Sequence, residues 1–169
     1  MSVQRFDRLK KKVTEFLMEN NPAYAPVGIA HLAYSACIAS ILARKRDCDM
    51  DIAQTAAYLH DVWLHLNYPY DDATVKAHAH EGAVMAENFM REMGEYTDEE
   101  IATVALMIEN HDFTAQKDDP MSEIMKDADM LSHYLNASAA GREDEFNHRA
   151  VKSLEEIGVC NAKNIPDEL

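Results

Sequence analysis

Eight histidines and thirty acidic residues occur among the 169 residues of this chain, and the places of five of those histidines carry chemistry. His31 lies early in the most apolar run. His60 and Asp61 end the run Thr-Ala-Ala-Tyr-Leu-His-Asp-Val. His78 and His80 sit near the start of a later helical stretch. His111 closes another, with Asp112 beside it, and Asp129 lies inside Met-Lys-Asp-Ala-Asp-Met-Leu. Each polar group sits against an apolar stripe on a different expected helix. A buried carboxylate is costly alone, and so is a buried imidazolium. Taken singly, each histidine is explained by a hydrogen bond to one core aspartate. The ordered set is better explained by convergence on a cation. Imidazole nitrogens with carboxylate oxygens suit a borderline divalent metal such as Mn, Fe, Co, Ni or Zn, and Mg is also accommodated.

Helices must carry these residues to one place. Phe6, Leu9, Val13, Phe16 and Leu17 give the stripe of a first helix, about Val3 to Glu19, which Asn20, Asn21 and Pro22 stop. A second follows Pro26 and runs to about Arg46. It is apolar nearly all round through Ile29, Leu32, Ala33, Ala36, Ile38, Ile41 and Leu42, and is expected to be central, with Cys37 in the core. Asp49 or Asp51 caps a third, which runs to about Leu64. Residues 66–74 read as a loop. A fourth helix covers about Val75 to Met93 and stops at Gly94. Thr97 and Glu100 offer a capping box to a fifth, which ends near His111. A sixth covers about Ser122 to Ala137. A polar seventh, about Glu143 to Glu156, leads to a tail, 159–169, expected to be loose. The expectation is an all-α, single-domain bundle of six or seven helices over residues 1–169, with the metal site at its centre. Neighbours on a helix point about 100° apart, so His60 and Asp61 can grip one ion only if it sits off the edge of their helical face.

The order His31, His60-Asp61, His80, His111, Asp129 resembles the HD-domain superfamily of metal-dependent phosphohydrolases, over roughly residues 27 to 135. Ala-Ala-Tyr-Leu-His-Asp-Val is similar to the family's apolar-His-Asp segment and His80-Glu-Gly-Ala to its His-x-Gly/Ser-Ala helix start. Ile108-Glu-Asn-His-Asp resembles its helix-ending histidine and Lys126-Asp-Ala-Asp-Met-Leu its final Asp-Ala-Asp-x-Leu. The resemblance implies that His31, His60, Asp61 and Asp129 hold one metal. It implies that His80 and His111 either hold a second, with Asp61 bridging, or contact substrate and solvent, so that one or two ions bind per chain. His78 competes with His80; the Glu-Gly-Ala that follows favours His80. His133, one turn beyond Asp129, can enter the pocket but reads first as a surface or supporting residue, and His65 and His148 read as ordinary loop or surface histidines. The implied activity is hydrolysis of a small soluble phosphate ester, a nucleotide among the options. Asp61, His80 and His111 would act in turnover, and Lys126 either steadies the phosphate or is a solvated helix lysine. A metal with an open position lowers the pKa of bound water and orients the phosphoryl group. No Ser-His-Asp order, Walker loop or dinucleotide fingerprint competes with that site. Two other classes stay open: a di-iron oxygenase of HD type, and a non-catalytic module that binds a metal or nucleotide.

The formal charge is −14. Such a surface repels phosphate backbones and anionic headgroups, so nucleic acid and membrane are not expected partners. Cys37, Cys48 and Cys160 are odd in number and lack Cys-x-x-Cys spacing, which fits reduced thiols in a cytoplasmic protein. The charged stretch Met1 to Lys12 does not read as a signal peptide, and no apolar stretch reads as long enough to cross a bilayer. Arg44, Lys45 and Arg46 form the main basic run beyond the first helix, where the helix dipole accounts for them.

Overall fold

Apolar residues recur at helical spacing along most of the chain, and helices are what they form. The computed structural model describes residues 3–135 and 143–159, with no strand among them. Its elements are α1 (Val3–Asn20), α2 (Ala25–Lys45), α3 (Met50–Leu59), α4 (Val62–Leu66), α5 (Asp72–Met93), α6 (Asp98–Asn110), α7 (Pro120–Leu135) and α8 (Glu143–Ile157). These are the seven helices read from the sequence with the third divided in two. The division falls at His60 and Asp61.

Local chemistry sets the boundaries. The Asp49 carboxylate accepts from the amides of Asp51 and Ile52 and starts α3. Asp51, the other candidate cap, is buried and pairs with Arg5 instead. Asp71 accepts from the Thr74 amide, so α5 begins three residues earlier than expected. Thr97 and Glu100 form the capping box of α6. Asp119 accepts from the amides of Met121 and Ser122 and sets the start of α7 at Pro120, a residue suited to a first helical position. The expected end of the sixth helix at Ala137, and the tail beyond Val159, lie outside the described residues.

α2 packs against α1, α3, α4, α7 and α8. Its Leu32, Ala36, Ala39, Leu42 and Ala43 meet Ala53, Ala56, Ala57 and Leu59 of α3 and Ile124, Met125, Ala128 and Leu131 of α7 in one core. Small residues on both α2 and α3 let the two helices approach closely. Arg5 ties α1 to α3 and α6 through Asp51 and Glu100. Arg46 reaches Asp127 on α7 and Glu156 on α8, and Arg149 on α8 reaches Asp127 and Glu123.

Three expectations about α2 need correction. By length and composition alone it is apolar enough to cross a membrane, though just under half of that span is buried inside the bundle. It is not buried all round: Val27, Tyr34 and Ile41 face outward. Cys37 lies on that outer face rather than in the core. A 3.6-residue period places these residues opposite Leu32, Ala36 and Ala39, whose packing against α3 and α7 fixes which side points in.

Candidate metal centre

The break between α3 and α4 lets adjacent residues aim at one point. His60 is still helical, whereas Asp61 leaves the helix with φ −109° and ψ 14° before α4 begins. Gly82 on α5 sits against this break. A Cβ there would lie 2.6 Å from the His60 carbonyl oxygen, so only glycine lets α5 come this close.

Four side chains from α2, the α3–α4 break and α7 converge. His31 Nε2 lies 3.2 Å from His60 Nε2, 3.6 Å from Asp61 Oδ2 and 3.2 Å from Asp129 Oδ1. His60 Nε2 lies 3.3 Å from Asp61 Oδ2 and from Asp129 Oδ1. A second group faces the other side of the same aspartate. His78 Nε2 and His111 Nε2 are 3.1 Å apart, and they stand 3.7 and 3.6 Å from Asp61 Oδ1. Donors sharing one ion at about 2.1 Å stand roughly 3 Å apart when adjacent and about 4 Å apart when opposite. Both groups have that spacing.

The chemistry of the donors also fits cations. Nδ1 of His60, His78 and His111 each bonds the carbonyl three residues earlier, on Ala57, Val75 and Ile108. A carbonyl only accepts, so those Nδ1 atoms carry protons, and it is the inward-facing Nε2 atoms that are left to bind a cation. His31 Nδ1 is held by the Ser132 hydroxyl. Such anchoring of the far nitrogen is what orients ligating histidines. The Nε2 atoms of His78 and His111, each with its Nδ1 proton on a carbonyl, stand 3.1 Å apart, where two lone pairs repel each other unless a cation lies between them. Among the described residues, Asp61 Oδ1 and Asp129 Oδ1 are buried without a hydrogen bond, although histidine nitrogens stand nearby.

Without an ion, a proton partly takes its place. Burial would lower the pKa of His31, but the carboxylates of Asp129 and Asp61 outweigh it and raise the value to about 9. His60 is also raised well above the usual histidine range, its burial outweighed by Asp61 and Asp129. Burial pushes the two carboxyls up, yet the surrounding histidines hold both well below the ordinary range.

The structure thus brings together His31, His60, Asp61, His111 and Asp129 from the sequence reading. It does not bring in His80. That ring is exposed and meets Glu109 at 3.1 Å, while His78, two residues earlier, is buried and faces His111 and Asp61. Lys126 is not a phosphate ligand in this arrangement, nor a solvated lysine. Its ammonium is fully buried against the Gln116 carbonyl, Asp118 and Glu123, which use its three protons to fix the loop before α7. His133 enters the site: Nε2 lies 3.4 Å from Asp129 Oδ1 and its ring packs on His31 with centroids 4.7 Å apart. His65, read as an ordinary loop or surface residue, is buried, and burial lowers its pKa to about 4. A donor atom of His65 lies within 4.8 Å of donors on His31 and Asp61. Its position four residues after Asp61 was the available signal. His148 is exposed, as expected.

Over residues 28–134 the sequence matches the family described as HD domain. Comparison with curated proteins gives no match, and comparison with solved structures gives none.

Proposed function

Because the chain belongs to the HD-domain superfamily of metal-dependent phosphohydrolases, we propose that it hydrolyses a small soluble phosphate ester with two divalent ions, one on either side of Asp61. The observation that carries this reading is that the two oxygens of Asp61 face different histidine pairs. A carboxylate can serve two cations in that way. His31, His60, Asp61 and Asp129 would hold the first ion, and His78, His111 and Asp61 the second. Bound there, such ions supply Lewis acidity and a more acidic water at neutral pH.

The protein's own groups prepare the site. The anchored Nδ1 atoms fix the rings before any ligand arrives, so little reorganisation is needed. Burial of His60 and His111, 0% and 3% exposed, closes the floor of the site to solvent. The His133 side chain is 37% exposed and that of Asp129 13%, so the α7 side of the site is its more open edge. We place substrate entry there, with His133 positioned to donate to a phosphoryl oxygen. The ions offset the acidic surface for an anionic substrate, while the net charge of −14 disfavours nucleic acid and anionic membranes as partners.

The test is phosphate release from a panel of small phosphate esters, nucleotides included, with Mn, Co, Ni, Mg or Fe supplied in turn. Activity in the wild type and its loss in His60→Ala and Asp61→Ala are expected. Metal-loaded protein that turns over no ester removes the hydrolase reading, and oxygen consumption by the iron-loaded form replaces it with a di-iron oxygenase. A clear gel shift with DNA or RNA at physiological salt contradicts the partner assignment.

A further inference from the structure

His65 has no part in the two donor groups, yet the fold commits it to their neighbourhood. Its amide donates to the Asp61 carbonyl at 2.9 Å, so it sits one turn after Asp61. Residues four apart rise from the same face of a helix. The residue is 5% exposed, and neither ring nitrogen has a hydrogen-bond partner among the described residues. Leaving both polar atoms of a buried imidazole unpaired is costly. The ring is nonetheless held firmly. It packs against Tyr24 and His31, with centroids 5.6 Å away in each case. On another side lies Gly28, where a Cβ would come within 2.7 Å of His65 Cγ. Three donors, from His31, Asp61 and His65, all lie within 4.8 Å of one another, and His31 and Asp61 Oδ2 already face the first ion position.

We propose that His65 is a further ligand of the first ion and that Gly28 is the residue whose missing side chain admits its ring. The inference rests on the proposed function only in requiring an ion at that position. A third imidazole beside His31 and His60 tips the donor set toward nitrogen. That favours Fe, Co, Ni or Zn over Mg, which prefers oxygen ligands and retains water. It also leaves one position fewer for water and substrate at the first ion.

Cobalt(II) is the probe, added at one equivalent to the full chain. X-ray absorption of the wild type is expected to count three imidazoles at the ion and of His65→Gln two, with a change in the visible cobalt bands. His65→Gln is expected to weaken cobalt binding by roughly 10–100-fold, the range that loss of even an indirect ligand partner produces. Gly28→Ala keeps every donor but displaces the ring, and should shift the spectrum and affinity in the same direction. A two-imidazole ion in the wild type overturns the proposal without recourse to any variant. Equal affinity and identical spectra in wild type and His65→Gln also overturn it, while leaving the ion itself in place. A wild type that retains no cobalt or other divalent ion removes the proposed function and this inference together.

Discussion

His78 and His80 stand two residues apart on α5 and differ in every respect that bears on an ion. One is buried with its Nδ1 anchored and its Nε2 facing His111; the other is exposed beside Glu109. We predict that His80→Ala keeps metal content and turnover. His78→Ala should retain about one ion per chain while losing much of the activity, measured by elemental analysis beside kcat. Equal loss in both variants would contradict the assignment. The sequence favoured His80 because of the Glu-Gly-Ala that follows it, a resemblance in order rather than in direction. The orienting signal was Gly82, four residues after His78 and so on its face of the helix; its contact with the His60 carbonyl fixes that face inward. His31, His60, His111 and Asp129 were legible because each lies on an apolar stripe, and a stripe states which way a side chain points. His65 lay on a five-residue helix too short to show one.

At the scale of elements, the seven-helix pattern was readable and the break inside the third helix was not. No glycine or proline marks it; the segment Leu59 to Val62 is apolar on both sides of the pair. The break is imposed by packing, since α5 crosses there at the distance that Gly82 allows. Gly82→Ala should therefore cost about 1–3 kcal/mol by overpacking and weaken metal binding, because the obstructing atom is backbone of a ligand residue. A thermal melt alongside a cobalt titration checks both, and an unchanged melt would show that the helices can separate freely. Lys126 acts at the same scale. It joins α7 to the preceding loop, so Lys126→Met should lower the melting temperature and leave kcat of the folded protein for the proposed reaction nearly unchanged. A large fall in kcat at temperatures far below the melt would return it to the active site.

For the whole molecule, the buried histidines make stability depend on pH in opposite directions. His31, raised to about 9, and His60 stabilise the metal-free fold fully below the unfolded value of about 6.5, and that contribution is lost as pH rises toward 9. His65, lowered to about 4, acts the other way: it disfavours the fold as pH falls from 6.5 toward 4. The metal-free melting temperature should thus peak near neutrality and fall on both sides. Ions compete with the protons on His31 and His60, so the gain in melting temperature on adding metal should widen from pH 6.5 to 9. A gain that stays constant across that window would show that protons and ions do not share these rings. Sharing of another kind follows from Asp61, whose two oxygens face opposite histidine pairs. A hinge common to two sites denies them independence. Whatever factor the first ion imposes on the affinity of the second, the second imposes on the first. With both proposed ions in place, each position measured with the other filled will differ in affinity from the same position measured alone, and the sign of that difference reports whether this carboxylate recruits its second cation or resists it.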